Sequence, residues 1–234
     1  MRRRELKNME WGLLIVAIIL SIIGIIALFS ATQETEYDEF KKQIIWLAIS
    51  LIAMVIVMLI NYETLVKLSP IFYGIFIILL IAVMFTKPVN GATSWFDIGF
   101  FSFQPSEFAK IAVILFLTYV ISKIQERYAE DINKPTRLLI IFVTLAIPLL
   151  LIIKQPDFGT AMAFCIALAM MLFTAGIDKK YIIGTILIAT ISIPLLYNFV
   201  LPDHAKKRID IFLNPESDPR GSGYNIIQSK LAIG

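Results

Sequence analysis

The chain has 234 residues, of which 58% are hydrophobic and only 17% charged, and its mean hydropathy is +0.80. A soluble domain of this length would carry roughly a quarter charged residues, so the composition excludes an ordinary water-soluble fold. A net charge of +3 is too small to argue for nucleic acid. Cys165, the single cysteine, lies in an apolar run, which excludes a disulfide framework and a cysteine-based metal site.

The basic segment Met1–Glu10 precedes an apolar run of about twenty residues, too long for a signal-peptide core. That run reads as a first, retained transmembrane helix. Seven spans follow in order: Trp11–Ala31, Ile44–Ile60, Ser69–Phe85, Phe108–Ile121, Leu138–Ile153, Ala161–Gly176 and Tyr181–Leu201. Backbone groups in lipid must be satisfied within the segment, so each span is helical. The expected fold class is all-α and polytopic, in a single integral-membrane domain over residues 1–234.

Lys and Arg set the orientation. One side holds Arg2, Arg3, Arg4, Lys7, Lys67, Lys123, Arg127, Lys134, Arg137, Lys179 and Lys180; the other, through span six, holds Lys41, Lys42, Lys87 and Lys154. The richer side is cytoplasmic, which puts the N-terminus inside. Thr32–Gln43, Thr86–Glu107, Lys154–Thr160 and everything after Leu201 then face outward. Lys206, Lys207 and Arg208 sit on the outer side against this trend, as basic residues kept for a ligand would. Residues 202–234 read as the start of a large extracellular loop. The apolar-leaning Ile226–Gly234 suggests a C-terminally truncated chain.

Two outward-facing helix starts share a pattern: Gln104-Pro105-Ser106-Glu107 and Gln155-Pro156-Asp157-Phe158-Gly159-Thr160. Proline suits the first helical position, and an acid in the first turn complements the helix dipole. Either could be a plain helix start. Lys110, however, follows Glu107 by three residues on the same face, about one turn into the membrane. An ionisable residue there is a functional candidate with Glu107 as partner; a snorkelling lysine is the plainer alternative. The aromatic loop around Trp95 suits the outer interface and a helix lying in its plane.

In the terminal loop, Asn214-Pro215 and Asp218-Pro219 impose extended or turn geometry on the residue before each proline. Gly221 and Gly223 allow close backbone approach. Tyr224 and Gln228 share a face if a helix starts near them. An acid fixed in this turn, near Arg220 and the basic cluster, has the makings of a general base beside an anionic substrate; a solvated turn is the plainer reading.

NGATSW, FQPSEFAK, KQPDFGTA and RIDIFLNPESDPRGSGYNIIQSKLAIG, in this order, resemble the SEDS family of bacterial cell-wall proteins. KQPD and GYNIIQSKLAIG are nearer its RodA branch than its FtsW branch. The resemblance covers essentially the whole chain, which corresponds to the N-terminal two-thirds of a ten-span family. It implies a multi-pass protein of the bacterial cytoplasmic membrane. It also implies a peptidoglycan glycosyltransferase that polymerises lipid II, releases polyprenyl pyrophosphate, serves cell elongation, and works with a class B penicillin-binding protein. By motif, the catalytic acid falls on Asp218. Glu107, Lys110 and Asp157 match family positions, and Arg208, Arg220, Trp95 and Gln228 are further substrate-binding candidates. Lys110, Arg208 and Arg220 are the candidates for stabilising the leaving pyrophosphate. Many relatives carry Arg where this chain has Ser94. No metal-ligand cluster is evident, although a divalent cation could assist. A flippase for a polyprenyl-linked sugar and a non-catalytic scaffold are the competing readings.

Overall fold

The structure is a computed structural model that describes residues 10–32, 38–86, 93–97, 102–128, 132–199, 203–219, 221 and 223–233. Seven long helices stand where seven spans are expected: α1 (Trp11–Ala31), α2 (Asp38–Leu59), α3 (Tyr62–Val83), α4 (Pro105–Tyr128), α5 (Pro135–Lys154), α6 (Phe158–Thr174) and α7 (Lys179–Phe199). Five of them, α1, α2, α3, α5 and α7, are long and apolar enough to cross a membrane, and α6 is a shorter apolar helix. Most helices run past the apolar segments that signal them. Helix α4 covers Phe108–Ile121 and extends into polar sequence at both ends, because an intrahelical hydrogen-bond ladder continues until a cap or a proline stops it. After the spans come α8 (Asp203–Leu213), a 3₁₀ turn (Pro215–Ser217) and α9 (Tyr224–Ile233).

The aromatic loop departs from the expected interfacial helix. Its described residues form two short strands, β1 (Phe96–Asp97) and β2 (Ser102–Phe103), paired antiparallel with Phe96 opposite Phe103. Those two rings lie 6.4 Å apart, and Phe103 continues onto Phe108 of α4 at 5.2 Å. Cross-strand aromatic pairing wins here over a helix lying flat.

Helices α3 to α6 build the core, with Leu80, Val113, Leu117, Ile141, Phe164 and Leu168 buried in one cluster. Helix α4 is its centre and packs on α3, α5 and α6. Helices α1 and α2 pack on each other, and their apolar side chains are largely exposed, as surfaces solvated by lipid must be.

Proline within a span frees the carbonyl four residues earlier. Pro70 frees that of Val66, which accepts the Ser69 hydroxyl at 2.6 Å. Pro148 frees that of Thr144, which accepts the Tyr73 hydroxyl from α3 at 2.8 Å. One side chain thus replaces a lost ladder bond and ties two helices together.

Polar contacts gather the helix ends into two sets. At one end, Gln155 after α5 reaches Leu80 of α3, and Gln104 before α4 reaches Asp157 before α6. At the other, Gln125 of α4 donates to the Ala175 carbonyl, and Tyr181 of α7 to that of Asn133. Two of the loops that the Lys/Arg asymmetry assigns outward, Thr86–Glu107 and Lys154–Thr160, meet at the first end. A cysteine at the exposed Ser217 should therefore react with an impermeant maleimide added to intact cells, and one at Ser122 should not. The opposite labelling pattern would reverse the orientation.

Candidate functional site

The two similar helix starts differ in detail. Helix α4 begins at Pro105 with Glu107 in its first turn, the arrangement the dipole favours. In the second start, Pro156 lies outside the helix and Asp157 is the N-cap. Its Oδ1 accepts the Thr160 amide at 3.1 Å. Its Oδ2 accepts Nε2 of Gln104 at 3.1 Å, so one carboxylate caps α6 and latches it to the start of α4. This is a structural duty for Asp157 that motif matching alone does not reveal.

Glu107 and Lys110 form the expected pair, with Nζ donating to Oε1 at 2.8 Å. Lys110 is partly buried. It stands at one end of a groove of about 160 Å³ whose other walls are apolar, built by Val113, Ile114 and Leu117 of α4, Leu145 of α5 and Phe164 of α6. A cation at the end of an apolar groove suits an amphiphile with an anionic head.

Gln155 is fully buried, a position its place in an outer loop conceals. Its Nε2 donates to the Leu80 carbonyl at 2.8 Å, and its backbone carbonyl accepts the Ser94 hydroxyl at 3.3 Å. Ser94 is buried too. The Ser94 hydroxyl thus joins the loop to the end of α5. Trp95, next to it, is part-exposed, and its carbonyl accepts the Thr86 hydroxyl at 3.1 Å.

The terminal loop is built around Asp218. Its backbone carbonyl accepts the amides of Gly221 at 3.3 Å and Gly223 at 3.1 Å. Its carboxylate lies against Gly221, where an added Cβ would fall 2.5 Å from Oδ1 and 2.6 Å from Oδ2. A Cβ on Gly223 would collide with the Pro215 carbonyl oxygen and come within 2.7 Å of that of Asp218. Both glycines are needed because the chain folds back on itself here. Lys207 of α8 reaches the carboxylate, with Nζ 3.1 Å from Oδ2. Gln228 and Tyr224 are exposed on α9. Arg220 lies outside the described residues, as does the side chain of Arg208.

The candidates thus come together as Gln104 with Asp157, Glu107 with Lys110, and Lys207 with Asp218. Among the described residues, no three His, Cys, Asp or Glu side chains gather to hold a metal ion.

A family model described as "Cell cycle protein", covering FtsW, RodA and SpoVE, matches residues 10–234. The chain belongs to the FtsW/RodA/SpoVE family. Peptidoglycan glycosyltransferase MrdB of Escherichia coli is 34% identical over 97% of this chain and 60% of its own length. An FtsW of Geobacter metallireducens is 32% identical over 99% of this chain and 63% of its own. The chain therefore spans about three-fifths of these curated relatives. Among solved structures, a chain of a peptidoglycan synthase complex superposes with a TM-score of 0.78, at 25% identity over 97% of this chain and 66% of that one. The rod shape determining protein RodA of Thermus thermophilus superposes with a TM-score of 0.66 over 79% of this chain and 60% of that one, at 22% identity. Family membership accords with the polytopic helical architecture and places the chain in the bacterial cytoplasmic membrane as a multi-pass protein.

Within this FtsW/RodA/SpoVE chain, sequence reasoning missed Lys207 as a partner of Asp218, Gln104 as a partner of Asp157, and the burial of Gln155. Only the last two carried a signal: the repeated Gln-Pro before each helix start.

Proposed function

We propose that the chain is the N-terminal part of a peptidoglycan glycosyltransferase that polymerises lipid II at the outer face of the membrane, in cell elongation. The observation that carries this reading is the carboxylate of Asp218. It is held in a turn that two glycines make possible, with a cation beside it. The relatives named peptidoglycan glycosyltransferase and the RodA structures support it.

In this reaction the 4-hydroxyl of an acceptor GlcNAc attacks the anomeric carbon of a donor MurNAc. The bond to polyprenyl pyrophosphate breaks with inversion, turning an α-linked donor into a β-1,4 glycan. Asp218 takes the hydroxyl proton as general base. Positive charge must meet the leaving pyrophosphate, and Lys110, Arg208 and Arg220 are the candidates for that role. The groove below Lys110 takes part of the lipid tail. Asp157, through its latch to Gln104, fixes the start of α4 and hence Glu107. Trp95 and Gln228 line the outer surface around the substrate. The structural neighbour in a peptidoglycan synthase complex supports a class B penicillin-binding protein as the partner that cross-links the product.

The deciding experiment reconstitutes the complete gene product in proteoliposomes with fluorescent lipid II. Glycan strands made without ATP support the proposal. Lipid II crossing the bilayer without polymer would make the protein a flippase, and neither activity would leave a scaffold.

The pair in α4 gives a second test. The pair is only partly exposed, with 31% of the Lys110 and 52% of the Glu107 side chain accessible, so membrane abundance is measured beside activity. Glu107→Gln and Lys110→Gln should each lose glycan synthesis at normal membrane abundance, measured by complementation and immunoblot. Growth supported by Lys110→Gln would mark a snorkelling lysine instead.

A further inference from the structure

The basic residues of α8 are expected to serve a ligand, yet two of them are engaged within the chain. Lys206 donates to the Asn198 carbonyl at 3.2 Å and lies 6.0 Å over the Tyr197 ring. Tyr197 in turn donates to Asp210 at 2.8 Å. These contacts seat α8 on the outer end of α7. Ile211, buried on α8, and Pro215, buried in the turn beyond it, lie on the two elements that pack together after α7. Lys207 is thereby aimed back at the loop, where its Nζ meets Oδ2 of Asp218.

Both carboxylate oxygens occupy the space that a Cβ on Gly221 would fill, and the Lys207 ammonium stands 3.1 Å from Oδ2. The lysine itself is largely exposed, with 64% of its side chain accessible, so the ion pair adds little to stability. Its consequence is geometric. A carboxylate on a single-bond torsion turns freely unless something fixes it, and a base must stand within hydrogen-bond reach of the proton it removes. Helix α8 is tied at one end to α7 and packs at the other on the 3₁₀ turn, so it links the span to the loop that carries the base.

We propose that Lys207 is a positioning residue for the Asp218 base, holding its carboxylate against Gly221 from a helix anchored on the end of α7. The inference rests on the reading of Asp218 as the base in lipid II polymerisation. It gives Lys207 no contact with substrate.

The test measures steady-state lipid II polymerisation by the complete gene product carrying Lys207→Gln, Lys207→Met or Lys207→Arg. The neutral variants should lower kcat about tenfold to a hundredfold, the range a misplaced reacting group costs. Their KM for lipid II should stay within about twofold. Lys207→Arg, which keeps the charge and the reach, should stay within about threefold of the wild-type kcat. In an Asp218→Asn background, Lys207→Gln should cause no further loss, because residues acting as one unit are not additive. Wild-type kcat in both neutral variants would overturn the inference. So would a raised KM at unchanged kcat, which would assign Lys207 to the substrate, or equal loss in all three variants at normal membrane abundance. If Asp218→Asn alone polymerises normally, the base reading itself fails. If Asp218→Asn is inactive while the neutral Lys207 variants behave as wild type, only the inference fails.

Discussion

Asp218→Asn should abolish glycan synthesis from labelled lipid II while leaving insertion and partner binding intact. The substitution keeps the shape of the side chain and removes its capacity to accept a proton. A positioned general base contributes about a hundredfold to ten-thousandfold in rate, so the loss should be of that order. The backbone bonds that build the turn run from the Asp218 carbonyl to the amides of Gly221 and Gly223, and they do not depend on the carboxylate. The fold of the loop should therefore survive. Glu216, two residues away and exposed in the 3₁₀ turn, provides the control: Glu216→Gln removes a charge from the same loop and should be far milder. Near-normal polymerisation by Asp218→Asn would end its assignment as the base. Loss of partner binding would point to a structural role.

The second large effect needs no change of charge. Gly221→Ala should cost at least about tenfold in kcat, because its methyl group would occupy space 2.5 Å from one carboxylate oxygen of Asp218 and force that group aside. Gly223→Ala should be more damaging still. Its methyl group meets the carbonyl oxygens of Pro215 and Asp218, which are backbone atoms and cannot swing away. The turn must reshape, and the Gly223 amide would lose its 3.1 Å bond to the Asp218 carbonyl. At non-special sites Gly→Ala is neutral or slightly stabilising through the unfolded chain, so Gly184→Ala in α7, where an added methyl group meets nothing within 4 Å, is the control. Activity in Gly223→Ala equal to that of Gly184→Ala would show that the turn is not required.

Much of this was legible in the residues because membranes simplify the code. Long apolar runs fixed the seven helices, and a three-residue spacing on one helix fixed Glu107 and Lys110 as a pair. Helix signals also located the start of α4 at Pro105, but they could not tell that Pro156 would stay outside α6 and leave Asp157 to cap it. The partners of Asp157 and Asp218 were hidden for a common reason. Gln104 is 53 residues from Asp157 in sequence, and Lys207 is separated from Asp218 by the end of α8 and a turn. The first distance matches no helical or strand period, and the second runs past the end of α8, so no single element carries either pair. Gln155 was misjudged in a different way: a polar residue in a loop is ordinarily wet, and here the Leu80 carbonyl takes its side-chain amide while Ser94 takes its backbone carbonyl. The short paired strands of the aromatic loop were hidden because interfacial aromatics suit a helix and a hairpin equally well.

The Tyr73–Thr144 bond bears on how the chain can move. A proline in a span is usually a joint, since the missing ladder bond lets the two halves of the helix swing. Here the freed carbonyl is clasped by a neighbouring helix, and the halves of α5 on either side of Pro148 are splinted by α3. With Gln155 fastening the same two helices at their outer ends, α3 and α5 behave as a truss.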